Sequence, residues 1–118
     1  MNRGNIAVAC VSLVPWLHIA ASLLFVARAY ASLGHWPSYN RPDPKTLGFV
    51  VHHSMVWLTL IPALYSPIAV LPWVIAFWRK LRGDRSVRTA AFVYVAGTAV
   101  TWAVWSANLA GFSEWFAD

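Results

Sequence analysis

Three apolar runs occupy most of this chain, at about residues 6–33, 47–78 and 89–112, and short polar segments separate them. Each exceeds the roughly 20 residues that an α-helix needs to cross the hydrocarbon core of a bilayer. Of 118 residues, 59% are hydrophobic and only 11% charged, whereas a soluble domain carries about a quarter charged residues. A chain this small cannot hide so much apolar surface from water, because small domains bury the smallest fraction of their surface. The expected fold is a single all-α integral membrane domain over residues 1–118, with three transmembrane helices and the lipid bilayer as its surroundings. Eight Trp in so short a chain agree with this, since Trp and Tyr favour the headgroup zone.

The first run could be mistaken for a secretory signal, with Arg3 before it and Ala27-Arg28-Ala29 after it. Its apolar stretch from Ile6 to Val26 is 21 residues long, against about 7–15 for a signal h-region, so a retained helix is expected. The lone cysteine, Cys10, excludes an internal disulfide and reads as a small buried apolar residue.

The formal charge is +5. Five of the nine bases, Arg79, Lys80, Arg82, Arg85 and Arg88, crowd one short segment with Asp84 as its only acid. Bases so placed between apolar runs set membrane topology or meet lipid headgroups, and do not suggest nucleic acid. With Arg3, that side holds six bases and one acid; Arg28, Arg41 and Lys45 against Asp43, Glu114 and Asp118 leave the other side balanced. The positive-inside rule then puts the N-terminus in the cytoplasm and the C-terminus outside, in a bacterial inner membrane.

The second run is too long. Its 32 residues would make a helix of about 48 Å, against a hydrocarbon core of about 30 Å. It also contains Pro62, Pro67 and Pro72, each of which lacks an N–H and kinks a helix. The expectation is one long kinked helix. The alternative is a re-entrant hairpin of two half-helices joined at 63–66, which needs protein around its irregular backbone. In the third run, Ala99, Ala103, Ala107 and Gly111 recur every four residues. Such a stripe lets another helix approach closely, from the same chain or from a partner.

The connector His35-Trp36-Pro37-Ser38-Tyr39-Asn40-Arg41-Pro42-Asp43-Pro44-Lys45 reads as structural. Asp43 is a favoured N-cap for the second helix, Pro44 suits a first helical position, and Trp36 and Tyr39 suit the interface. Leu33-Gly34-His35-Trp36-Pro37, Pro42-Asp43-Pro44-Lys45 and the ending Glu114-Trp115-Phe116 resemble short patches of small bacterial membrane proteins; the resemblance implies no activity.

Depth suggests one polar site. Counted inward from residues 33, 47 and 113, Arg28, His52 and Asn108 each lie five residues in, about 7–8 Å along a helix; His53 is one residue deeper and Glu114 is near in sequence. Ionisable groups inside a membrane usually face protein or a water-filled cavity, so Arg28, His52 or His53, Asn108 and Glu114 form a candidate ligand or ion site; adjacent histidines point apart, so at most one of the two joins it. Snorkelling of Arg28 and an ordinary inter-helix hydrogen bond are the favoured explanation of them. His18 lies ten residues from that level, about 15 Å, with no second histidine at its own depth, only Thr59, Pro62 and Thr101. A haem held within one chain is therefore disfavoured, and no spaced His/Cys/Glu set suggests a metal. No phosphate loop, nucleophile elbow or close carboxylate pair occurs. No cofactor is expected and enzymatic activity is disfavoured. The function expected is structural: an accessory or assembly subunit packing against another membrane protein or itself. A small oligomeric channel or transporter using the outer polar site, and a cofactor-binding unit using the histidines, are the alternatives.

Overall fold

The computed structural model describes residues 3–38, 43, 45–81, 83–108 and 111–117. They form four helices: α1 Arg3–Leu33, α2 Val50–Leu81, α3 Arg85–Ala107 and a short α4 Phe112–Ala117. Three are long and apolar enough to cross a membrane, over Ile6–Leu33, Val50–Ala76 and Arg85–Ala107. α2 is one continuous helix of 32 residues through all three prolines, not two half-helices. Each proline removes the N–H that would bond the carbonyl four residues earlier, at Leu58, Ala63 and Ile68.

Side-chain pairings set the topology. His18 meets Thr59, and Phe25 meets Phe49 and His52, so α1 and α2 run antiparallel. Trp16 meets Val93 and His18 meets Trp105, so α1 and α3 run parallel. α1 is the central helix, packed more extensively on α2 and α3 than those two are on each other. The bundle measures 51 × 27 × 19 Å. One end, the connector end, holds the C-termini of α1 and α3; the other, the arginine end, holds the α2–α3 turn.

The core lies at the connector end: Phe25, Ala29, Phe49, Val56, Phe112, Trp115 and Phe116 form one buried cluster. α2 joins it only through its first half, and no described side chain of α2 beyond Ala63 is buried.

Helix ends differ from expectation where loop geometry decides them. α1 stops at Gly34, whose φ of 70° lets its N–H bond Tyr30 O at 2.9 Å, the single-bond αL cap. α2 starts at Val50 rather than residue 47, because Gly48 has a φ of 71° and the first helical bond runs from His53 N to Phe49 O at 2.8 Å. Asp43 does not cap it. Its Oδ1 accepts from Lys45 N at 2.7 Å and its carbonyl from Thr46 N at 3.0 Å, which closes a separate turn. Pro44, and Tyr39 to Pro42, lie outside the described residues. α3 starts at Arg85, earlier than residue 89, because Asp84 is its N-cap and Oδ1 accepts from Ser86 N at 2.8 Å. It ends at Ala107 rather than 112, because Asn108 turns left-handed at φ 43°. Cys10 is exposed on α1, not buried as its apolar setting suggested.

Candidate functional site

The connector end is built around Phe25, which is fully buried. Its ring lies 5.1 Å from His52, 6.0 Å from His53, and 5.5 Å from both Trp115 and Phe116, centroid to centroid. Trp115 and Phe116 come from α4, which folds back so that both are 0% exposed. Edge and tilted aromatic pairs at such distances contribute about 0.5–1.5 kcal/mol beyond their buried area.

His53 holds α4 in place. Its Nε2 is 2.9 Å from Phe116 O. A carbonyl only accepts, so Nε2 carries the proton and donates. The Trp57 Nε1–H also approaches this nitrogen, at 3.3 Å. An indole N–H only donates, so in this tautomer the approach is a contact and not a second bond. The other end of α4 is fastened by Ser113, whose N–H donates to Asn108 Oδ1 at 2.9 Å and whose hydroxyl donates to Trp105 O at 3.1 Å.

Of the residues selected by depth, three come together. The guanidinium of Arg28 lies 4.1 Å from the Phe49 ring centroid, a cation–π contact, and Phe49 shares Phe25 with both histidines. His52 is half-buried and His53 buried. Asn108 is engaged in its own turn, its side chain on Ser113 N and its carbonyl accepting from Gly111 N at 2.9 Å. Glu114 is exposed in the first turn of α4.

A second polar knot lies deeper, around His18, a residue for which depth offers Thr59 and Thr101 but no second histidine. His18 is 1% exposed. Trp105 Nε1–H donates to its Nε2 at 2.9 Å. That nitrogen is therefore unprotonated, Nδ1 carries the proton, and Nδ1–H donates to Thr59 Oγ1 at 3.1 Å. The Thr59 hydroxyl in turn donates to Val56 O at 2.9 Å. This neutral imidazole has both nitrogens occupied, so a metal at Nε2 would have to displace the indole. A cavity of about 180 Å³ adjoins the knot, lined in part by His18, Ser22, Trp36 and Thr101. Thr101 is buried and its hydroxyl has no partner among the described residues.

α3 presents two different faces. Gly97, Thr101 and Trp105 turn toward α1. A Cβ on Gly97 would sit 2.7 Å from Trp16 Nε1, so only glycine admits this indole, which donates to Val93 O at 2.9 Å. Ala99, Ala103 and Ala107 are exposed. Gly111 is not on that helical face, since it lies past α3 in the turn with φ 73°. The close internal approach therefore uses Gly97, four residues before Thr101 and eight before Trp105, a spacing visible in the sequence beside the more regular alanine row.

At the arginine end Arg79, Arg85 and Arg88 are exposed. Arg82 lies outside the described residues, as does the side chain of Lys80. Among the described residues no three His, Cys, Asp or Glu come together to hold a metal. Within the bundle His18 bonds Thr59 and Trp105, and Ser66 bonds Tyr94, while the buried hydroxyls of Thr98 and Thr101 have no partner among the described residues. No family model, curated protein or solved structure matches the chain.

Proposed function

We propose that the chain is a three-helix inner-membrane subunit, N-terminus and arginine turn in the cytoplasm, α2 bending at its prolines within the bilayer. Its role is that of an accessory or assembly subunit, packing the row Ala99, Ala103 and Ala107 against another membrane protein or a second copy. The observation that carries this is the division of α3 into two faces: α1 takes the Gly97 side, and the alanine row is left exposed. Small residues are what a helix needs for close approach in lipid, where greasy side chains gain nothing by leaving the tails. The connector-end polar groups point the same way, since His53, Asn108 and Ser113 are spent on fastening α4.

The test is association in mild detergent, read on a native gel. Ala103→Leu and Ala107→Leu each shift the chain from its complex to the lone subunit, while His52→Ala leaves the complex intact. Complexes that survive both leucines would remove the reading.

A further inference from the structure

We propose that the arginine end holds an anionic phospholipid of the bilayer, in a cleft between the three long helices; this rests on the membrane reading above. The cleft has a volume of about 430 Å³ and is lined in part by Val11 of α1, Val74 and Trp78 of α2, and Arg88, Ala91 and Val95 of α3. That volume falls within the roughly 300–1,000 Å³ of small-molecule sites. No described side chain of α2 beyond Ala63 is buried, and α1 and α3 are left partly uncovered there.

Polarity changes along the cleft as it does along a phospholipid. Arg88 stands four residues past the Asp84 cap, at the mouth; Val95 lies seven residues further, about 10 Å deeper at the helical rise. On α2, Trp78 lines the cleft and directly precedes Arg79 in sequence, and Val74 lies one turn deeper. The deep end is crossed by the hydrogen bond between Tyr94 OH and Ser66 Oγ, 2.6 Å, so both hydroxyls are satisfied and the walls between are apolar. An acyl chain fits those walls, and a phosphate at the mouth meets cations.

Charge selects this occupant over an apolar helix. Asp84 is the one acid of the turn, and its Oδ1 is committed to the Ser86 and Val87 amides. Among the described residues no ion pair neutralises Arg79, Arg85 or Arg88. A helix of a second copy would cover the walls and leave those cations unanswered. An anionic lipid brings its own counter-charge, in the bidentate form that suits arginine.

The experiment uses the full chain, reconstituted in vesicles of phosphatidylcholine and phosphatidylglycerol with identical acyl chains, extracted in mild detergent and weighed by native mass spectrometry. Phosphatidylglycerol is retained in preference to phosphatidylcholine. Arg88→Gln lowers its retention about fivefold, which corresponds to ~1 kcal/mol for one base beside an anionic headgroup. Ala91→Trp, which fills the cleft, removes retention of both lipids. Equal retention of the two lipids, retention unaffected by Arg88→Gln, or displacement of phosphatidylglycerol by inorganic phosphate alone overturns the lipid site. So does a second copy retained in place of lipid. Alkaline extraction of the membranes separates the two readings. A chain that stays with the membrane yet shows no lipid preference loses only this site; a chain released into solution loses the membrane reading as well.

Discussion

The two ends of the bundle are built from similar residues and packed in opposite ways. At the connector end Phe25, Trp115 and Phe116 are wholly buried, and a 6-residue helix returns to close the space between α1, α2 and α3. At the arginine end Trp78 and Ile75 are 47% and 75% exposed, and a cleft lies beside the buried Val87 and Tyr94. Aromatic content alone therefore does not make a core; a core also needs an element to cover it. α4 supplies that element at one end, and the second half of α2 does not at the other.

The largest expected effect tests this contrast directly. Phe25→Ala removes the ring about which five others are arranged and is expected to lower stability by about 3–5 kcal/mol. Leu71→Ala, on the cleft wall and 39% exposed, should lower it by less than about 1 kcal/mol. Unfolding in mixed micelles with rising sodium dodecyl sulfate reads both; equal losses would erase the distinction between the ends.

A smaller effect lies between them, at the α1–α3 contact. Gly97→Ala drives a methyl into the Trp16 indole and should destabilise by about 1–3 kcal/mol. In a Trp16→Ala background the same substitution should have little effect, because the two residues are in direct contact. An undiminished loss in that background would show that the clash is not the cause.

The smallest effect sharpens the account of α4. His53→Phe removes the donor to Phe116 O, at about 1 kcal/mol, and should speed amide exchange in α4. His52→Phe, whose ring touches Phe25 without a hydrogen bond to α4, should leave that exchange unchanged. Identical exchange in the two variants would mean that His53 does not fasten the helix.

Part of this arrangement was legible beforehand. Counting depth along the runs put Arg28 and His52 at one level and His53 a residue deeper, because helical rise converts residue number into height; Arg28 lies against Phe49, and both histidines lie against Phe25. The same count included Asn108, which instead terminates α3 and holds Ser113. Height says nothing about direction around the helix or about a left-handed residue that ends it. The same count set Thr59 beside His18, and the two do bond; it missed Trp105, 87 residues away, because height does not say which way an indole reaches.

The amino-acid sequence alone determined three long helices and the placing of the arginines at one turn, since both follow from local hydrophobicity and chain length. It also determined that α3 carries a row of small residues. The tertiary structure alone decided which face of α3 meets α1, because one glycine beneath one tryptophan outweighs a regular row of alanines. It likewise decided that Trp115 and Phe116 form a core and not a tail, because an αL turn at Asn108 and a hydrogen bond from His53 bring them back over Phe25. Both decisions depend on groups distant in sequence competing for the same space, and no local pattern records that competition.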